Sequence, residues 1–401
     1  MKKTLALILA LSLILCLFAG CGESAPAEET VEPTEAPADG TETPAEEPET
    51  PAYMTELLEK MNAHADDTVV MTVNGHPITW DLFFYMLSSS LTEYAYYMGD
   101  LPADFSMEVA QGQTMEDYFN LMSVEQCKLL GAVMAKAAAE GVTPAPETDE
   151  EILTGWEDMT GAYGGEEALR ELSFMTRNAY LSIMRFDLAN SGIQTKLYGA
   201  QGELMADADV MAWAEENQYV HVKHILYQFK DAEGNDLDEE GKAEVLKKAQ
   251  DIQKELKALE GDTEALEARF DEIMNADSAD AGGLMMFPDG YTFTTGEMVA
   301  EFEEAAFALG EYKVSEPVES AHGVHILLGL PMGPDDATMN QGSNGYYTLR
   351  QMAITQDYNE KIRGWIDEAE VVWAEDFENF TVQDVFPDRI GSGKLVENYE
   401  G

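Results

Sequence analysis

Tyr219-Val220-His221-Val222-Lys223-His224-Ile225-Leu226-Tyr227 and, further along, His322-Gly323-Val324-His325-Ile326-Leu327-Leu328 decide how this chain folds. Each stretch holds a His-x-x-His pair, and together they account for four of the six histidines. On a helix that spacing places two imidazoles on neighbouring turns and suggests a metal site. Both stretches are instead short, rich in Val, Ile, Leu and Tyr, and bounded by turn residues, which predicts strands. Residues three apart on a strand face opposite ways. Each pair is therefore split, no metal ligand set is expected, and the question becomes whether His224 and His325 point into one core.

Beyond Tyr227 the helical period takes over. Glu239 to Glu260 carries Val245, Leu246, Ala249, Ile252 and Leu256 on one face, and a short helix from Thr263 to Met274 follows. Gly282-Gly283 reads as a turn, and Thr294-Thr295-Gly296-Glu297 resembles a capping box opening a helix from about Glu297 to Leu309. Strand, helix, helix, strand or loop, helix, strand, strand is an α+β order, and residues 216–333 have the size of one domain. Upstream, Val69 to Thr79 alternates as a strand with an Asn74-Gly75 turn. Helices from Trp80 or Asp81, from Leu121 to Ala139 and from Glu166 to Leu188 make residues 53–215 mainly helical. In the tail, Tyr346 to Glu368 reads as a helix and Val371-Val372-Trp373 as a strand. So apolar a terminal helix needs a surface, and the N-terminal helical region is the expected one. Residues 216–333 then read as an insertion between two parts, 53–215 and 334–401, of one domain.

The first twenty residues combine Lys2-Lys3, an apolar run from Leu5 to Leu15 and the sequence Leu17-Phe18-Ala19-Gly20 before Cys21. This is the pattern of an export signal. The apolar run is short for a membrane span, and the pentapeptide ending at Cys21 resembles a lipobox, so cleavage after residue 20 and lipid on Cys21 are expected. Cys16 leaves with the signal and Cys127 has no partner, so there is no disulfide framework. Within its apolar run Cys127 reads as a small buried hydrophobe rather than a nucleophile. Residues 22–52 alternate Pro, Ala, Thr and Glu with no basic or aromatic residue, so 21–52 is expected to be a disordered, stiffened tether. The chain has 77 acidic and 23 basic residues, a net charge of −54, and −46 of that falls on residues 53–401. A body so charged argues against nucleic acid and anionic head groups as partners, and keeps a protein that handles sticky chains soluble.

From His221 to Leu330 the chain resembles the parvulin family of peptidyl-prolyl isomerases. Val222-Lys223-His224-Ile225-Leu226 is similar to that family's first strand, and Asn275-Ala276-Asp277-Ser278 followed by Gly282-Gly283-Leu284 to the segment with a Cys or Asp before a Gly-Gly turn. Gly296-Glu297-Met298-Val299-Ala300-Glu301-Phe302 through Leu309 is similar to its third helix, and His322-Gly323-Val324-His325-Ile326 to its last strand. The stretch from Val73 to Thr79 looks like the opening of SurA/PrsA-type chaperone domains. Signal, lipobox, tether, helical region and returning tail together resemble PrsA-type foldase lipoproteins.

That resemblance implies a parvulin-like α+β domain, a small antiparallel sheet with surrounding helices, inserted in a mainly helical chaperone domain. It implies an isomerase without cofactor or metal, held by lipid on the extracytoplasmic face of the cell membrane. Its partners would be unfolded or partly folded exported polypeptides with X-Pro bonds; a second copy of the chain, as a homodimer, is left open. It places His224 and His325 side by side at a pocket floor with Asp277 near the substrate carbonyl, and gives Leu284, Met298, Phe302 and His322 to substrate binding. On the residues alone, the two histidines could equally be satisfying one another in the core, and Leu284, Met298 and Phe302 read as core.

Leu284-Met285-Met286-Phe287 departs from the family's glycine-containing sequence, and the loop from Asp277 to Gly282 is short. These departures motivate a second reading, a holdase chaperone with an inactive parvulin unit. Gln228-Phe229-Lys230-Asp231-Ala232-Glu233 lacks the basic cluster of phosphate-directed parvulins. A lipid-anchored solute-binding protein would share the signal and tether, but the alternating α/β lobes it needs are absent from the pattern.

Overall fold

The computed structural model describes residues 50–389 apart from 111, 232, 233, 343, 344 and 379. The export signal, Cys21 and the acidic Pro-rich stretch up to residue 49 lie outside the described residues. The chain divides into two units, one of them residues Thr195–Tyr358 and the other formed by the segments on either side.

The flanking unit opens with α1 (Ala52–Met61) and a hairpin of β1 (Val69–Val73) and β2 (His76–Thr79). Asn74 and Gly75 both have positive φ, 50° and 79°, as a two-residue turn matching strand twist requires. From the other end of the chain, Val371–Trp373 pairs antiparallel with β1, with Met71 opposite Trp373. The sequence predicted that tail strand but gave it no partner. α2 (Trp80–Met98), a short β3 (Glu108–Ala110) and β4 (Gln113–Thr114) hairpin and α3 (Met115–Glu140) follow. Thr114 and Asp117 form a full capping box at the start of α3. Next come α4 (Thr148–Tyr163), α5 (Glu166–Ser173) and α6 (Arg177–Tyr198). The single helix expected from Glu166 to Leu188 is broken because Phe174 turns left-handed at φ 59° and Thr176 Oγ1 caps the next helix through Ala179 N. Trp80, Phe84, Phe105 and Phe119 are buried at the centre of this unit. Cys127 is fully buried there, and burial pushes its thiol pKa up, so it serves as a hydrophobe.

The unit that carries the histidines begins with α7 (Asp207–Glu216) and β5 (Val220–Tyr227), then α8 (Glu239–Lys257), α9 (Thr263–Asp277) and α10 (Ala281–Met286). It continues through β6 (Tyr291–Phe293), α11 (Ala300–Phe307), β7 (Val318–Ser320), β8 (Gly323–Leu330), β9 (Ala337–Gly342), β10 (Gly345–Thr348) and α12 (Leu349–Asp367). The sheet runs β10-β9-β6-β5-β8-β7, antiparallel throughout except for the parallel contact of β6 with β9. β9 and β10, beyond residue 333, thus continue the same sheet.

The central pair is β5 and β8, in register from His221 opposite Leu330 to Tyr227 opposite Val324. Alternation sorts their side chains onto two faces. Ile225, Tyr227, Val324, Ile326 and Leu328 pack with Ala249, Leu256, Leu266 and Phe270 of α8 and α9. Val222 and Leu327 pack with Phe293, Phe302 and Ala306 on the other face, under α11. Each such large apolar side chain contributes about 1.5–3 kcal/mol on burial, which is why register here has little freedom to slip. Lys223 is buried on the α9 side yet keeps its charge in company, with Nζ 3.0 Å from Glu267 and from Asp271.

Three local expectations change. Gly282-Gly283 lies inside α10 rather than at a turn, and α11 starts at Ala300 rather than near Glu297. Thr294 and Glu297 close a separate turn, Thr294 N donating to Glu297 Oε2, while the Thr294 hydroxyl is taken by Asn217 O. The tail helix starts at Leu349 because Thr348 and Gln351 cap it reciprocally, which leaves Gly345–Thr348 free to pair as β10. Among the described residues no helix is long and apolar enough to cross a membrane.

Gly323 has φ 138°, and an added Cβ would overlap Tyr227 O across the central pair. Gly323→Ala should lower stability by more than about 1 kcal/mol in chemical denaturation. Gly282→Ala, with open space around its Cβ and a helical backbone, should be neutral or raise stability by up to about 1 kcal/mol. Equal effects of the two substitutions would contradict this account of the central pair.

Candidate active site

His224 lies opposite Leu327 and His325 opposite Leu226, so the two histidines are diagonal neighbours on one face of β5 and β8. Their Nδ1 atoms are 3.1 Å apart and the rings stack at 19° with centroids 5.3 Å apart. Both are buried. His224 Nε2 is 2.7 Å from Asp280 Oδ2, and Tyr291 Oη donates to the same oxygen at 2.5 Å. On the far side, Ser320 Oγ is 2.8 Å from His325 Nε2 and accepts from His322 N at 3.1 Å.

These contacts have one consistent assignment of protons with both rings neutral. Asp280 accepts, so His224 carries its proton on Nε2 and offers Nδ1 as an acceptor. His325 then donates from Nδ1 and accepts from the Ser320 hydroxyl at Nε2. The result is a directed chain, Ser320 to His325 to His224 to Asp280, ending on a carboxylate. The His224 hydrogen bond holds the Asp280 carboxyl below its usual range, against the burial that would raise it, and Tyr291 helps. Burial is the largest cause that lowers His325 to about 4, so that ring is neutral at physiological pH. Burial and the Asp280 acceptor both push the Tyr291 phenol up.

Phe302 meets both imidazoles edge-on, centroids 5.2 Å from His224 and 5.3 Å from His325, and it is buried. Met298 packs half-buried beside it. These two expected residues are therefore gathered on the imidazole face. Leu284 is not: it packs on the opposite side of the sheet with the α8 and α9 core. His322 is exposed in the turn between β7 and β8 and meets the chain through its backbone N–H, which donates to Ser320 Oγ.

Asp277 stands elsewhere. It is the last residue of α9, half exposed, with its carboxylate 3.1 Å from Lys248 Nζ. The chain turns between it and the site: Ser278 Oγ and Ala279 N bond Leu226 at the end of β5, and this brings Asp280 under His224. Asp280 also caps α10 through Gly283 N. Asp280, Tyr291 and Ser320 were not singled out in the sequence. The Gly282-Gly283 pair is the sequence feature tied to two of them, since a Cβ on Gly283 would overlap Tyr291 Oη and the Asp280 carboxylate. The second glycine of the Gly-Gly pair thus makes room for the Asp280–Tyr291 hydrogen bond.

His221 points away from this chain. Its Nδ1 is 3.0 Å from Asp336 Oδ2 and its Nε2 2.9 Å from Asp289 O, so both nitrogens face acceptors. Burial opposes its charge, but Asp336 and the Asp289 carbonyl outweigh burial and raise its pKa. Among the described residues there is no group of three His, Cys, Asp or Glu that could hold a metal.

Residues 224–329 match the family model described as Rotamase: PPIC-type PPIASE domain. The chain is 29% identical over 165 residues to the foldase protein PrsA of Oceanobacillus iheyensis, covering 41% of this chain and 42% of that relative. It is 31% identical over 206 residues to the foldase protein PrsA of Halalkalibacterium halodurans, covering 49% and 53%. The chain spans about half the length of the curated relatives it matches. The crystal structure of foldase protein PrsA from Streptococcus pneumoniae aligns with 71% of this chain and 100% of its own at 16% identity and a TM-score of 0.28. The parvulin-type domain expected from the four sequence segments is thus matched over 224–329.

His325 and His221 should titrate with opposite signs. With its folded pKa lowered to about 4, His325 binds fewer protons folded than unfolded between pH 6.5 and 4, so it lowers stability as pH falls through that window. Relative to His325→Gln, the wild type should lose up to about 3 kcal/mol between pH 7 and 4 in denaturant titrations. His221, with a raised pKa, contributes stability below 6.5 that is lost as pH rises through its folded value, so the advantage over His221→Gln should shrink in the alkaline direction. Parallel pH profiles for wild type and variants would contradict the assignment.

Proposed function

We propose that this chain is a peptidyl-prolyl cis-trans isomerase and chaperone for exported polypeptides, anchored on the extracytoplasmic face of the membrane by lipid on Cys21. The observation that carries the isomerase reading is the hydrogen-bonded chain of Ser320, His325, His224 and Asp280, its two imidazoles buried beside Met298 and Phe302, inside the stretch that matches the isomerase model. The names of the relatives, foldase protein PrsA, support the chaperone part.

Rotation about an X-Pro bond faces roughly 18–20 kcal/mol of amide resonance, and no covalent step is needed to lower it. The site must favour the twisted bond over either planar form. A thousandfold acceleration asks for about 4 kcal/mol of such preference. In this reading Met298 and the Tyr291 ring grip the proline, with Phe302 behind them fixing both imidazoles. The apolar wall strips water from the amide, and water stabilises the planar, more polar form best. His224 and His325, held by Asp280, present a fixed dipole to the rotating carbonyl without reorganising.

A holdase whose isomerase unit turns over poorly is the second reading. It is favoured by Met285, 81% exposed, and by the aromatic and Met side chains of Tyr96, Tyr97 and Met98, which are also exposed. Such surfaces suit transient contact with unfolded chains.

Proline-limited refolding of a model protein separates the readings. Wild type should accelerate the slow phase. Asp280→Asn and Met298→Ala should each lose about tenfold, equivalent to ~1.4 kcal/mol in the transition state, and Asp277→Ala should act like wild type. Suppression of client aggregation without any acceleration would favour the holdase. Loss of acceleration in Asp277→Ala but not Asp280→Asn would overturn the assignment of the carboxylate.

A further inference from the structure

β9 and β10 lie outside the stretch matched by the isomerase model, yet they reach the candidate site. β9 runs parallel to β6 with Thr292 opposite Thr338, and this places β10 beyond it with Tyr346 turned toward α10. The Tyr346 ring lies 4.6 Å from Phe287, Phe287 lies 5.2 Å from Tyr291, and Tyr291 lies 5.4 Å from His224. The Tyr346 hydroxyl bonds Met286 Sδ at 3.3 Å. An unbroken run of rings thus extends from the imidazole pair to the hairpin. Met286 and Met285, 50% and 81% exposed, stand on its α10 side.

We propose that Tyr346, Met285 and Met286, backed by the buried Phe287 ring, form a shelf that binds a large apolar or aromatic side chain flanking the substrate proline, so that this hairpin sets sequence preference. The inference rests on the proposed isomerase site, because it takes its occupant from continuity with that site. A peptide whose proline sits at Met298 and Tyr291 has its neighbouring residue within reach of the adjoining rings. Thioether and aromatic surfaces attract flat or branched apolar groups and offer nothing to a charged one. A proton chain ending on the Asp280 carboxylate adds a further bias against acidic neighbours.

The test uses the full chain with proline tetrapeptides carrying Phe, Leu, Ala or Glu before or after the proline. Affinity is read by titration calorimetry and isomerisation by exchange NMR on the same peptides. Wild type should bind the Phe or Leu peptides about threefold to tenfold tighter than the Ala peptide, with Glu weakest. Tyr346→Ala and Met285→Ala should bring the Phe to Ala ratio toward one, and Tyr346→Phe should keep it. Met285 is exposed, so its substitution reads out the shelf even where loss of Tyr346 disturbs the hairpin. Equal affinities across the series in wild type, or a ratio untouched by both alanine variants, would overturn the proposal. Binding with the expected ratio but no isomerisation would refute the isomerase reading and leave the shelf standing.

Discussion

A hydrogen bond between two imidazole nitrogens fixes most of what surrounds it. Nδ1 of His224 and Nδ1 of His325 can bond only if one ring donates and the other accepts, so the tautomer of each ring is set by its partner. The outer nitrogens must then find one acceptor and one donor. Asp280 and Ser320 supply them, the first from a loop locked onto the end of β5, the second from the edge strand β7. A buried polar pair left half satisfied would cost more than an apolar core. The positions of α10 and β7 follow from that requirement.

The same pair explains the unequal faces of the central strands. On the α8 and α9 side, alternation gives an ordinary apolar core with one escorted lysine, Lys223. On the other side the imidazoles interrupt the apolar row, and Phe302 closes over both rings edge-on. The α11 face is therefore where polarity, burial and an apolar wall coincide, the combination a binding site needs.

Much of this was legible in the sequence where a short-range rule decides the outcome. The split of His-x-x-His follows from strand period alone, and the Asn74-Gly75 turn follows from its need for two positive φ angles. The parvulin resemblance groups Leu284 with Met298 and Phe302, whereas the structure packs Met298 and Phe302 with the α11 cluster and Leu284 with the α8 and α9 core. The resemblance points to Asp277 because a motif counts residues, whereas Asp280 is brought under His224 by a turn at Ser278 whose hydrogen bonds to Leu226 are long-range. Tyr346 falls in a stretch whose composition suits a helix, and the reciprocal cap of Thr348 and Gln351 is what starts the helix behind it. Strand pairing of β9 with β6 carries no local signal at all, being decided by a partner more than forty residues away.

Nitrogen-15 NMR of the imidazoles at neutral pH tests the central claim most directly. The account predicts two neutral rings of opposite tautomer, His224 protonated at Nε2 and His325 at Nδ1, with a coupling across the hydrogen bond and a change at both rings in Asp280→Asn. Two rings of the same tautomer, an imidazolium at His325, or an Asp280→Asn spectrum identical to wild type would contradict it.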